Sequence, residues 1–179
     1  MKRYGVGVVL VAVLIATNAC SDRVYTDGPI GESHDDPLME WCAPHVDGKT
    51  TITANNGPLP NHAEVPITIT DVSAVGAQGF TIIDVVLTSK NGAVNGAEYP
   101  PGPEGKGGPT WDQRVPAEGA TIDPGEKWWL VVGLRAEADR AEMERVQVDY
   151  RDAAGTRYRY VAASSYSYLP DCDGSWKHG

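Results

Sequence analysis

A chain of 179 residues with 15 basic and 24 acidic side chains carries a formal charge of −9. Such a surface repels phosphate backbones and anionic headgroups, which argues against a nucleic-acid partner. Without the first 19 residues, which hold Lys2 and Arg3, 13 basic and 24 acidic side chains remain, or −11, on about 160 residues, enough for one domain with its own core.

The chain opens on Lys2 and Arg3, then the apolar run 6–16, then Thr17, Asn18 and Ala19 before Cys20. Charged, oily and small-residue parts in that order are the layout of a secretory signal. The cysteine directly after a small residue resembles the lipobox of bacterial lipoproteins, although Thr17 stands where that family favours Leu, Val or Ile. The resemblance implies that residues 1–19 are a signal peptide. It further implies that the Cys20 thiol takes up a diacylglyceryl group and becomes the mature N-terminus. The domain would then sit on the extracytoplasmic side of the cell membrane, held by acyl chains. Two other outcomes stay open: cleavage without a lipid, and an uncleaved span, since 4–21 is uncharged although its apolar run is short of about 20 residues. Setting Cys20 aside leaves Cys42 and Cys172, which an oxidising compartment is expected to join in a disulfide.

Residues 21–40 are acidic, punctuated by Gly and Pro, and show no apolar period, so 20–40 reads as the lipidated cysteine and a flexible tether. Strand patterns begin near residue 49. Lys49–Ala54 alternates and the stretch "NNGPLPN" at 55–61 reads as a turn. Val65, Ile67 and Ile69 oppose Thr68 and Thr70, and 80–89 is apolar on both faces, like a strand covered twice. The Pro/Gly-rich 99–109 reads as an exposed loop. After the Pro124-Gly125 turn, Trp128, Leu130, Val132 and Leu134 share one face and Trp129, Val131 and Arg135 the other. Residues 136–144 favour a short helix. Val146, Val148 and Tyr150 alternate with Gln147, Asp149 and Arg151, and a turn at 152–155 leads into a return strand over 156–169. About seven short strands without a βαβ rhythm predict an all-β sandwich over 41–179. The steps "TIDPGEKWWLVVGLR" and "VQVDYR…GTRYRY", within 115–168, resemble bacterial immunoglobulin-like surface domains, which implies an immunoglobulin-like β-sandwich and little about activity.

Catalytic signatures are missing: there is no Gly-x-Ser-x-Gly, no Ser-x-x-Lys and no phosphate-cradling glycine motif before a helix, so no residue is assigned a catalytic role. Cys42, His45, Cys172 and His178 could together form a tetrahedral zinc site, but export favours the disulfide. Met39 and Met143 lack the spacing of a copper site. Neither a metal nor a cofactor is expected. Acidic pairs such as Glu137-Asp139 and Glu142-Glu144 read as solvated faces. Tyr158, Tyr160, Tyr166 and Tyr168 share parity, which suits either the core side of a last strand or an aromatic platform that stacks sugar rings. Tyr166 and Tyr168, with Trp111 after the Pro/Gly loop and Trp129 beside a turn, are therefore the candidate ligand-binding aromatics. The reading is a monomeric, non-enzymatic binding domain, held at the membrane by its lipid, that meets an envelope protein or glycan. The alternatives are an envelope enzyme with a site assembled from distant residues and a zinc- or copper-binding lipoprotein.

Overall fold

The computed structural model describes residues 23–31, 38–89, 95–96, 98–102 and 109–172. The expected signal peptide, the Cys20 expected to carry the lipid, and His178 of the zinc alternative lie outside these. In chain order the strands are β1 (Val24–Tyr25), β2 (Met39–Pro44), β3 (Thr51–Pro60), β4 (Ile67–Val75), β5 (Phe80–Thr88), β6 (Val115–Pro116), β7 (Thr121–Ile122), β8 (Lys127–Ala136), β9 (Ala141–Met143), β10 (Arg145–Asp152), β11 (Arg157–Val161) and β12 (Ser164–Leu169). One helical turn, α1 (Pro109–Asp112), precedes β6.

The strands form three sheets, in the orders β1-β11-β10-β4-β7, β3-β8-β5-β6 and β2-β12-β9. In the first, β4, β10 and β11 occupy the places of the C, F and G strands of an immunoglobulin domain; in the second, β3, β8 and β5 occupy those of B, E and D. The chain is an all-β, immunoglobulin-like β-sandwich. It has twelve strands where the sequence predicts about seven, because β1, β6, β7 and β9 are only two or three residues long. The apolar parity read from the sequence places the core. Ile67 and Ile69 of β4, Val146, Val148 and Tyr150 of β10, and Leu130, Val132 and Leu134 of β8 are all buried in one cluster. Each such aliphatic side chain contributes about 1.5–3 kcal/mol on burial.

Three expectations are corrected. Residues 136–144 are not a helix: β8 runs to Ala136 and Ala141–Met143 is β9. Ala141 and Met143 are both 1% exposed while Glu142 points outward, so burial at period two overrides the helix propensity of a short Ala/Glu/Arg stretch. The Asn55–Pro58 stretch is no turn either, for β3 continues through it. A bulge between Asn55 and Pro58 absorbs the extra residue, with Gly57 at φ +80°. Because β3 is the edge of its sheet, Pro58 and Pro60 remove no ladder donor.

The third correction concerns the tether, whose described part is built into the domain. Val24 and Tyr25 pair in parallel with Arg157 and Tyr158. The segment then straps across the end of the sandwich. Ile30 is buried, its N–H donates to Tyr150 Oη at 3.3 Å, and the N–H of Gly31 donates to Pro60 O at 3.2 Å on the opposite sheet. The close approach needs glycine at two points. A Cβ on Gly28 would lie 2.1 Å from Tyr150 Oη, and one on Gly31, whose φ is +91°, 2.2 Å from the Tyr160 ring. Tyr150 and Tyr158 stack at 5.3 Å beneath the strap, and Tyr25 packs on Tyr158 at 5.9 Å.

Candidate functional site

The third sheet carries the concave surface. β12 lies between β2, which it meets in parallel, and β9, which it meets antiparallel. Tyr166 and Tyr168 turn inward and are buried, so Ser165 and Ser167 turn outward. Register aligns Ser165 with Glu40 on one side, and Ser167 with Cys42 on one side and Glu142 on the other. Glu144 continues past the end of β9. These side chains, with Gln78, Arg145 and the edge of Trp41, line a groove of about 520 Å3. Its rim is acidic: Glu40, Glu142 and Glu144 are exposed, while the Arg145 guanidinium is engaged with Glu144 O at 2.7 Å. The arrangement offers carboxylate and hydroxyl acceptors to a ligand rich in N–H or O–H donors. A second, more apolar cleft of about 210 Å3 opens between β2 and β3, lined by Trp41, Ala43, Pro44, Ile52, Gly96 and Tyr166 among others.

The expected disulfide is present and supports the groove from one side. Cys42 and Cys172 are joined, with their Cα atoms 5.9 Å apart and a sequence separation of 130. In many immunoglobulin-like domains the termini lie at opposite poles. Here β2 runs parallel to β12, so Cys42 meets the chain as it leaves β12. The same bond removes the thiolates that a zinc site would need. His45 stacks on Tyr168 at 4.3 Å and its Nε2 contacts Asp139 O at 2.6 Å, while His178 lies outside the described residues. Among the described residues no group of three His, Cys, Asp or Glu side chains is placed to hold a metal ion.

The aromatic candidates fare differently. Tyr166 and Tyr168 are 3% and 6% exposed, and their hydroxyls donate across the core to Asn55 O at 2.9 Å and Lys49 O at 2.8 Å. They join the third sheet to β3 and to the segment just before it, and form no platform. Nor do the four tyrosines share one strand: β11 ends at Val161, and β12 belongs to another sheet. Trp111, expected on an exposed loop, is 2% exposed. It sits on α1, edge-on to Tyr99 at 6.0 Å, and covers Val86 and Val131 on the outer face of β5 and β8. Arg114 lies 4.8 Å over its ring. Gly133 of β8 admits the Tyr99 ring, which a Cβ there would meet at 2.7 Å. Trp129 alone of the four is half-buried at the surface, with Lys127 Nζ 5.2 Å from its ring centre.

No protein family model matches the sequence, and no curated protein matches it. Three solved structures resemble the fold at a distance. The Vibrio cholerae VesB protease matches at TM-score 0.39 and 11% identity over 75% of this chain and 30% of its own. The secreted serine protease VesC from Vibrio cholerae matches at 0.34 and 7% over 72% and 21%. An ASH/PapD-like domain of human CEP192 matches at 0.37 and 5% over 75% and 82%. The chain thus spans less than a third of either protease, and likenesses this remote assign no activity.

The tyrosines also set a pH limit. Burial pushes the hydroxyls of Tyr150 and Tyr166 above the ordinary tyrosine value, and burial with the 2.6 Å hydrogen bond to Asp84 does the same for Tyr99. The unfolded chain releases these protons near pH 10, whereas the folded chain holds them to higher pH. Their contribution to stability is therefore full below about pH 10 and is lost as pH rises beyond it. Urea midpoints measured from pH 8 to 12 are expected to stay level to about pH 9 and then fall. A midpoint that rises above pH 10 would contradict the burial of these hydroxyls.

Proposed function

We propose that the protein is a non-enzymatic, membrane-tethered interaction domain on the extracytoplasmic side of the cell membrane, anchored through a lipidated Cys20, and that the groove on β2-β12-β9 receives a basic segment of an envelope protein. The observation that carries the reading is the composition of that groove: exposed Glu40, Glu142 and Glu144 around Ser165 and Ser167, with the disulfide at its side. The inward turn of Tyr166 and Tyr168 removes the platform on which a glycan reading depended and favours a protein partner. The anchoring half of the proposal is supported by the signal layout and the pairing of the remaining two cysteines.

The test is a titration of the protein with extended lysine/arginine peptides and, separately, with soluble peptidoglycan fragments, followed by amide chemical shifts. Basic peptides are expected to move the signals of Glu142, Ser165 and Ser167, and the E40Q/E142Q/E144Q variant to lose that response. Exposed carboxylates are dispensable for folding, so the variant should keep its unfolding midpoint. Shifts at the same residues with glycan fragments and none with peptides would replace the protein partner by a glycan.

A further inference from the structure

The third sheet ends, on the β2 side, at an open strand edge. β2 meets β12 in parallel, the N–H of Met39 donating to Ala163 O at 2.8 Å and that of His45 to Leu169 O at 3.0 Å. The backbone groups of successive residues in a strand point to opposite sides. Met39, Trp41, Ala43 and His45 therefore direct theirs to β12, and Glu40 and Cys42 direct theirs away from it. Among the described residues no strand pairs with β2 on that side. Pro44, the next residue of that parity, is exposed and carries no N–H, as suits a strand edge. The edge thus presents the N–H groups of Glu40 and Cys42 and the carbonyls of Glu40, Cys42 and Pro44.

The two faces beside this edge differ in chemistry. Register sets Glu40 level with Ser165 and Cys42 level with Ser167, so these side chains share the outer face with the acidic groove. Trp41 and Ala43 are level with Tyr166 and Tyr168 and turn to the core side. On that side opens the cleft of about 210 Å3, bounded across from β2 by Ile52 and Gly96. Gly96 is held on β3, its N–H donating to Thr53 O at 3.1 Å and its carbonyl accepting from the Thr53 N–H at 2.8 Å. Met39, of the same parity as Trp41, is 46% exposed. Pro44 and Glu40 alone would serve to guard the edge against stray pairing, but an apolar cleft beside it has no part in such a guard. A strand laid along β2 would alternate between the two surfaces, one side chain beside the carboxylate of Glu40 and the next in the cleft.

We infer that β2 is a strand-addition site, where an extended segment of an envelope protein with alternating basic and apolar residues pairs with the backbone of Glu40 and Cys42. Its basic side chains lie on the groove side, beside Glu40, and its apolar ones enter the cleft. The inference rests on the reading of the groove given above and adds how the basic segment is held: main-chain bonds supply attachment, and the two unlike faces select the alternating pattern.

The test titrates the full chain, kept oxidised, with a peptide of alternating Lys and Val and with one of the same composition in two blocks, and follows amide exchange and chemical shifts. With the alternating peptide at about ten times its Kd, exchange at Glu40 and Cys42 is expected to slow about ten-fold. Exchange at Trp41 and Ala43, whose N–H groups already face β12, should change by less than about two-fold. The block peptide should bind more weakly. E40P removes an edge donor without touching a bond to β12, and is expected to weaken the alternating peptide about ten-fold more than E40A, which removes only the carboxylate. The exchange contrast in the unaltered chain stands whether or not E40P folds. No response to either peptide would overturn the inference together with the reading of the groove. Shifts at Ser165 and Ser167 with unchanged exchange at Glu40 and Cys42, the same slowing at Trp41 and Ala43, or equal binding of the block peptide would overturn the inference alone.

Discussion

The double substitution C42S/C172S is expected to lower the unfolding free energy by about 4–5 kcal/mol. The bond closes a loop of 130 residues, and the chain-entropy model assigns a loop of that length about this much. Urea denaturation with and without reductant reads the effect directly; at an m value of about 2 kcal/mol per molar, the midpoint should move by about 2 M. The loss has a local component as well. Cys42 lies on β2, an edge strand that pairs with β12 and with no other strand among the described residues. Amide exchange should accordingly rise first along 39–44 in the variant. A midpoint shift under about 0.5 M would mean that the β2–β12 pairing holds this margin without the bridge.

Trp111→Ala is the second large effect, expected at about 3–5 kcal/mol for a fully buried indole. Its ring covers Val86 and Val131, so truncation opens the outer face of β5 and β8 to water and leaves Tyr99 without its edge-on neighbour. Trp129→Ala, at the half-buried site, should cost no more than about 1 kcal/mol. The two tryptophans look alike in sequence, each beside a turn-rich segment, and the pair of urea midpoints separates core from surface. Equal costs for both would contradict the packing of α1 on the second sheet.

These two sites also show what the sequence discloses and what it hides. Period-two apolarity identified the inward faces of β4, β8 and β10, because each pattern is local and its burial is dictated by parity. The residues that cover a second face are not local. Val131 could be seen to oppose Leu130, but nothing adjacent to it announces that Tyr99 and Trp111 will lie over it. The available signal was Gly133, a glycine inside an apolar strand, which marks a close approach by another group. The groove was hidden for the same reason. Glu40, Glu142 and Ser167 come from three separated segments and meet only through β-sheet register. Once Tyr166 and Tyr168 are taken as core, however, Ser165 and Ser167 must point the other way. The tether was misread because its glycines and prolines also suit a strap. Gly28 and Gly31 serve contact with tyrosine rings more than 100 residues later, a requirement that composition does not reveal.

The parallel pairings of β1 with β11 and of β2 with β12 have a consequence for biogenesis. During synthesis the N-terminal strands emerge first, yet their partners begin at Arg157 and Ser164, close to the end of the described residues. Both must wait as unpaired ribbons until residues 157–169 have appeared. Closure is thus a late, whole-chain event, and a nascent chain stalled before residue 157 would display two sticky edges to any holding chaperone.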